Sequence, residues 1–221
     1  MPSYHNPCRK WRTPQNSVAE YVMQELKIFR FRAGEAPEYM AQAWRLRHQV
    51  FRETLGWSVK SLNQLEIDQF DKMALHCVAV EQDVVVGYWR SLRTTEPYLL
   101  EQYFPDLLEG LHLPKRPDIW EISRFAVAPS HPRRRDVGKS LALEIGRFGF
   151  DQGASRLIAV VEPPFGRFIR ACGLPVTQDV TPVVVGTGSQ GDVVATIITL
   201  DMQSYASQLG VAAGQAQIAA A

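Results

Sequence analysis

The strongest constraint on this chain is the order in which two hydrophobic periods alternate along it. Lys27–Arg32 (KIFRFR) switches between apolar and basic residues, the period of a half-buried strand. Met40, Ala43, Trp44 and Arg47 recur at i, i+3, i+4 and i+7, which predicts a helix over Glu38–Arg47. His76–Glu81 and Val84–Leu92 are strands joined by Gln82–Asp83, a link short enough for a hairpin. Tyr98–Leu108 reads as helical and Ile119–Val127 as a strand. Val137–Gln152 is a long amphipathic helix stopped at Gly153. Arg156–Val161 is a strand, Phe165–Cys172 a short helix closed by Gly173, Asp192–Asp201 a strand and Met202–Leu209 a last helix. That order packs as a mixed central sheet with helices on both faces, an α/β three-layer sandwich.

The chain has 221 residues, 46% of them hydrophobic, enough for one domain with a sizeable core. We expect that domain over 23–209, after a flexible N-terminal extension (1–22) and before a disordered tail (210–221). The net charge of +1 argues against a whole-molecule attraction to nucleic acid or membrane. An anionic ligand must therefore meet a local basic cluster. The three cysteines, Cys8, Cys77 and Cys172, are scattered, which fits reduced thiols and neither a disulfide framework nor a zinc site. No secretory signal pattern and no apolar run of about 20 residues appears, so a cytoplasmic location is expected. Residues 58–71 lack periodicity and read as a long loop rich in Asp, Glu, Asn and Gln; loops of that length are often functional.

The chemically informative residues are charges set among aromatic and apolar neighbours. Arg47 precedes Phe51 and Trp57; Glu66, Asp68 and Asp71 crowd the loop; Arg90 follows Tyr88-Trp89; Thr94-Thr95-Glu96-Pro97-Tyr98-Leu99 comes next; Glu121 and Arg124 sit within Trp120-Glu121-Ile122-Ser123-Arg124-Phe125. Buried charges are rare unless paired. Glu66, Asp68, Asp71 and Glu121 set against Arg47, Arg90 and Arg124 would form a nearly neutral network. Such a network suits a zwitterionic substrate carrying a sulfonium. An ordinary ion-pair cluster that only fixes the loop would give the same charge pattern.

These blocks resemble the signature of the LuxI-type autoinducer synthases, the acyl-homoserine-lactone synthase family: an Arg and a Phe in the first helix, a following Trp, an E-x-D-x-x-D loop, an Arg in the hairpin, a T-T-x-P-Y-[LM]-L run and a W-E-x-S-R-[FY] strand. The resemblance covers roughly residues 27–175. It implies an N-acetyltransferase-like fold and an acyltransferase that joins an acyl thioester to S-adenosylmethionine, a substrate and not a cofactor. Lactone closure and loss of methylthioadenosine follow, and the product serves quorum sensing. By this resemblance Phe51 and Trp57 wall the S-adenosylmethionine, Trp57 by cation–π attraction. Arg47, Asp68, Asp71, Arg90 and Phe125 help hold it, Arg124 acts at the centre, and Glu66 or Glu121 is the base. No metal is implied.

Arg133-Arg134-Arg135 precede Gly138 in a run similar to the R-x-x-G-x-[GA] pyrophosphate loop of acetyltransferases. Helix N-termini and arginines hold phosphate well. The basic run fits either acyl carrier protein or acyl-coenzyme A; the family resemblance implies acyl carrier protein as the donor, and a solvated basic loop is the bland reading. Ala159 and Val161 are expected to line the acyl pocket, where some family members carry a Thr for a 3-oxo group. With Ala159 there, an unsubstituted chain is favoured, although simple core packing would also place an Ala. His48, His76, His112 and His131 show no metal spacing and read as surface or structural. Gly186-Thr187-Gly188 reads as a turn. A generic acyl-coenzyme-A N-acetyltransferase and a non-catalytic binding module remain the competing functions.

Overall fold

The computed structural model describes residues 25–108, 115–189 and 191–210. The extension 1–22, the tail beyond residue 210, Cys8 and His112 lie outside the described residues. The strands are β1 (Lys27–Arg32), β2 (Ser61–Leu62), β3 (Leu65–Glu66), β4 (Leu75–Glu81), β5 (Val84–Arg93), β6 (Ile119–Val127), β7 (Arg156–Val161), β8 (Val176–Gln178), β9 (Val183–Gly188) and β10 (Gly191–Asp201). The α-helices are α1 (Pro37–Arg47), α2 (Leu99–Tyr103), α3 (Arg134–Asp151), α4 (Pro163–Ala171) and α5 (Met202–Gln208). The main sheet runs β1-β4-β5-β6-β7-β10-β8, with β9 also on β10. All of these pairs are antiparallel except β6 with β7.

Strand alternation sorts the side chains into two layers. Cys77, Ala79, Trp89, Trp120 and Ile122 pack beneath α3, α4 and α5. Val78, Val80 and Tyr88 pack beneath α1, and Leu92 and Ile119 beneath α2. Gly87 lets α3 approach β5, since a Cβ there would stand 2.5 Å from Leu141 Cδ1. This is the expected three-layer arrangement.

Several local expectations are corrected. The helix through Arg47 continues as a π-helical segment, His48–Thr54, carrying Phe51. The supposed structureless stretch 58–71 contains the β2–β3 ribbon. Tyr98–Leu108 is not one helix: α2 ends at Tyr103 and a 3₁₀ turn follows over Pro105–Leu108, because Pro105 has no N–H to continue the ladder. Helix α3 begins at Arg134, three residues before the expected Val137, because its first turn is exposed and lacks the apolar period. Gly186-Thr187-Gly188 is no turn. It lies in β9, where pairing with β10 overrides the weak strand preference of glycine. β8 had no periodic signal of its own.

Two irregularities position the site. Strands β6 and β7 pair only over Ile119–Glu121 and Arg156–Ile158, and the ladder stops there. Earlier along the sheet, the β5–β6 register steps from Tyr88↔Ala126 to Arg90↔Ser123. Arg124 and Phe125 therefore oppose Trp89 alone in a bulge, and Arg124 takes φ 58°, a left-handed conformation rare for a side chain of its size.

Candidate active site

Where β6 and β7 part, a cavity of about 560 Å³ opens between them. Its wall is made from both faces of the sheet. On the α1/α2 side lie Phe51, Trp57, Glu66, Asp68, Glu121, Ser123 and Arg124, with Tyr103 and Phe104 from the end of α2. On the α3/α4 side lie Phe125, Ile145, Leu157, Ala159, Val161, Phe165, Ile169 and Leu174, with Ile198 and Leu200 of β10. One end is thus polar and the other apolar.

The polar end is held by three arginines and three carboxylates. Arg47 and Arg90 are fully buried. Arg47 binds Glu66 through Nε and Asp71 Oδ1 through Nη1, the latter at 2.6 Å. Arg90 grips Asp68 with both Nη atoms at 2.5 and 2.7 Å, shares Asp71 Oδ1 at 2.7 Å and reaches Ser123 Oγ at 3.2 Å. Arg124 donates to Glu66 Oε1 at 3.1 Å and Asp68 Oδ2 at 3.2 Å. Three positive and three negative groups cancel; Glu121, expected from the sequence to belong to the same network, stands outside it. The bulge is what brings Arg124 in. Plain alternation would send Ser123 and Arg124 to opposite faces, whereas here both meet partners on the α1/α2 side.

The loop carrying the carboxylates is set by its own acids. The Asp68 N–H donates to Asp71 Oδ2, and the Phe70 N–H donates to Asp68 Oδ1, each at 3.0 Å. Burial alone would raise the Asp71 carboxyl, but the Arg47 and Arg90 guanidiniums more than offset it and hold it at about 2. Asp68 is likewise held below the usual range by Arg90 and Arg124 against its burial.

Glu121 is different. It makes no ion pair with those arginines. Its two oxygens accept the backbone N–H groups of Leu99 and Leu100, at 2.9 and 2.7 Å, where the Thr94–Leu99 run leads into α2. Full burial pushes its carboxyl up to about 7, against the pull of those two donors and of Arg90 and Arg124. A carboxyl that ionises near neutrality beside a cavity is suited to taking up a proton.

Phe51 and Trp57 stack with ring centres 5.2 Å apart and planes 20° from parallel, and the Arg124 guanidinium stands 5.6 Å from the Phe51 ring centre. Gly56, just before Trp57, has φ +66°. A Cβ on it would come within 2.5 Å of Ser189, so the tip of the β9–β10 hairpin closes against this turn. The hairpin contributes Val185, Gly186, Thr187, Val193 and Ala195 to the wall. Sequence reasoning missed this contribution, because Gly186–Gly188 carries no strand signal and pairs only through β10.

The structure separates the predicted residues into three groups. Phe51, Trp57, Glu66, Asp68, Glu121, Arg124, Phe125, Ala159 and Val161 line the cavity. Arg47, Asp71 and Arg90 lie behind its wall, gripping the residues that do. Arg133, Arg134, Arg135 and Gly138 are apart from both, at the start of α3. Arg133 ion-pairs with Glu81, which also meets His131, while Arg134 and Arg135 are exposed. Gly138 is buried one turn into the helix, where a Cβ would stand 3.2 Å from the Phe168 ring. Its visible role is close packing. Among the described residues, no His, Cys, Asp and Glu side chains gather into a metal-holding set, and no helix is long and apolar enough to cross a membrane.

The family profile described as autoinducer synthase matches residues 35–208, most of the chain. This chain belongs to the autoinducer synthase family. It is an acyltransferase, and its fold is that of the N-acetyltransferases. The acyl-homoserine-lactone synthase of Acinetobacter nosocomialis is 38% identical over 149 residues, spanning 63% of this chain and 81% of that relative. The crystal structure of the AHL synthase LasI superposes with a TM-score of 0.75 at 26% identity, covering 85% of this chain and 96% of that one. TofI, crystallised in a ternary complex with an inhibitor and MTA, gives a TM-score of 0.69 at 26% identity, covering 85% and 98%.

Proposed function

We propose that this autoinducer synthase transfers an acyl group from an acyl thioester to the amine of S-adenosylmethionine, then closes the homoserine lactone with release of methylthioadenosine. The observation that carries this reading is one cavity with a carboxylate-rich, aromatic-walled end and a largely apolar end, joined where β6 and β7 part. A cationic, zwitterionic substrate fits the first end and an acyl chain the second. The MTA bound to TofI, a structure this chain resembles, supports methylthioadenosine as a product.

In this reading Trp57 and Phe51 form the wall beside the sulfonium. Asp68 and Arg124 meet the amino-acid groups of the substrate, and Arg47, Asp71 and Arg90 act by fixing them. Glu121 is the base. Its carboxyl ionises near 7, whereas Glu66 is occupied by two guanidiniums. Glu121 takes a proton from the ammonium, directly or through water. The amine then attacks the thioester carbonyl and the thiol departs. The substrate carboxylate next attacks the carbon beside sulfur, the C–S bond breaks, and methylthioadenosine leaves. Both steps depend on orientation, which is worth several kcal/mol of barrier. Beyond Glu121 the backbone of β6 has no ladder partner in β7, and in this reading a β6 N–H near Arg124 steadies the oxyanion.

The exposed Arg134 and Arg135 fit an anionic donor, and the family resemblance puts acyl carrier protein first. Acyl-coenzyme A is the second reading, supported by the same basic helix start. On the α3/α4 side of the wall, Ile145, Leu157, Ala159, Val161, Phe165, Ile169, Leu174, Ile198 and Leu200 present no hydroxyl, which favours a chain without a 3-oxo group. The deciding experiment incubates the protein with S-adenosylmethionine and a panel of acyl thioesters and assays methylthioadenosine. Its release, dependent on the thioester, is expected; acylation of an amine without methylthioadenosine would instead mark a generic N-acetyltransferase.

A further inference from the structure

Behind the cavity wall lies a buried pair that the proposed chemistry does not use. His76 and Tyr88 are both fully buried. His76 Nδ1 stands 2.8 Å from Tyr88 Oη, and Nε2 stands 2.9 Å from the backbone oxygen of Asp71. A carbonyl oxygen only accepts, so Nε2 carries the proton. Burial lowers the ring's pKa to about 4, so Nδ1 is bare and the Tyr88 hydroxyl donates to it. Each polar atom of the pair has one fixed direction.

What the pair holds is the centre of the ion network. Asp71 Oδ1 bridges Arg47 at 2.6 Å and Arg90 at 2.7 Å, and Asp71 Oδ2 accepts the Asp68 N–H. The Tyr88 ring lies under the Arg47 guanidinium, 5.5 Å from centre to carbon. His76 thus fixes the main chain of Asp71, while Tyr88 fixes the plane of Arg47.

We infer that His76 is a positioning residue for the S-adenosylmethionine site, holding Asp71 through its Nε2–H and Tyr88 through Nδ1 so that Asp68, Glu66 and Arg124 are presented to the cavity at fixed angles. The inference rests on the proposed function. It separates two effects that simple core packing would not. The donor side of the cavity does not touch this pair, so the effect belongs to one substrate.

The test measures the KM for S-adenosylmethionine and for the acyl donor separately, with Tm, in His76→Phe, His76→Gln and His76→Asn. Gln places its amide N–H near the position of Nε2 and keeps the bond to Asp71; Asn places its acceptor near Nδ1 and keeps only the bond to Tyr88. Phe and Asn are expected to raise the S-adenosylmethionine KM roughly tenfold, the scale of an orphaned buried hydrogen-bond group, with the donor KM within about twofold of wild type. Gln is expected to recover most of the loss. Should Phe fail to fold, the Gln–Asn pair decides. Lowered Tm with unchanged S-adenosylmethionine KM, equal changes in both KM values, or Asn performing as well as Gln would overturn the inference. Absence of methylthioadenosine from the wild type would instead remove the proposed function.

Discussion

The polar and apolar ends of the cavity share a wall but are built in opposite ways. At the polar end each group is directed several times over: Arg90 alone meets Asp68, Asp71 and Ser123. Buried charges tolerate no loss of a partner, because the one left behind remains desolvated. The apolar end is an extension of the main core, where Leu157, Ile169, Leu174 and Leu200 are held by shape alone. Cores accept changes of shape at modest cost. Substitutions at the polar end should therefore remove activity, whereas those at the apolar end should redirect it.

The largest expected effect is at Glu121 and Arg124. Arg124→Ala and Glu121→Gln should each lower kcat by about a hundredfold or more, the usual scale for a proton-transfer group or a directed donor. Circular dichroism should show the fold retained. Wild-type kcat/KM should rise with pH through a midpoint near 7, as Glu121 loses its proton and can act as the proposed base; Glu121→Gln should lose that limb. If Arg124→Ala kept most of its turnover, the contrast between the two ends would collapse.

Trp57→Ala comes next. Loss of a ring from a sulfonium in a dry site is worth about 1–2 kcal/mol, so S-adenosylmethionine affinity should fall roughly tenfold while the donor KM hardly moves. Equal loss for both substrates would place Trp57 outside the polar end.

The apolar end is probed by product chemistry. Burying a 3-oxo group without a hydrogen bond costs roughly 1–3 kcal/mol, so a saturated donor should be preferred about tenfold over its 3-oxo counterpart of equal length. Ala159, opposite Ile198 on β10 and on the cavity wall, is where a hydroxyl would help. Ala159→Thr should raise 3-oxo turnover and narrow the gap without changing the S-adenosylmethionine KM. Equal efficiency of the two donors in the wild type would refute this.

The smallest effect is expected at the surface. Reversing charge at Arg134 and Arg135 should raise the donor KM a few-fold, and added salt should do the same to the wild type, since exposed attractions are screened beyond about 10 Å at 0.1 M salt. A donor KM insensitive to salt would make the helix start a bystander.

Much of this was legible in the chain. Arg47, Arg90 and Arg124 were conspicuous because charges seldom stand among Trp, Tyr and Phe without partners, and near-neutrality pointed to Glu66, Asp68, Asp71 and Glu121 as partners, of which the structure pairs the first three. The proposal of Glu121 over Glu66 as the base was not legible, because it rests on which carboxylate meets guanidiniums and which meets the Leu99 and Leu100 amides. The β9–β10 wall was hidden for a related reason. Glycines in Gly186-Thr187-Gly188 look like a turn until a partner strand supplies their hydrogen bonds.

The layer order and the clustering of opposite charges were written in the residues, since hydrophobic period and the cost of an unpaired charge are local properties of residue types. Only the tertiary structure decided the parting of β6 from β7, the bulge that brings Arg124 beside Glu66, and the separation of Glu121 from the arginines. Each of these depends on distances of about 3 Å between segments far apart in the chain, and no pattern within a segment encodes such a distance.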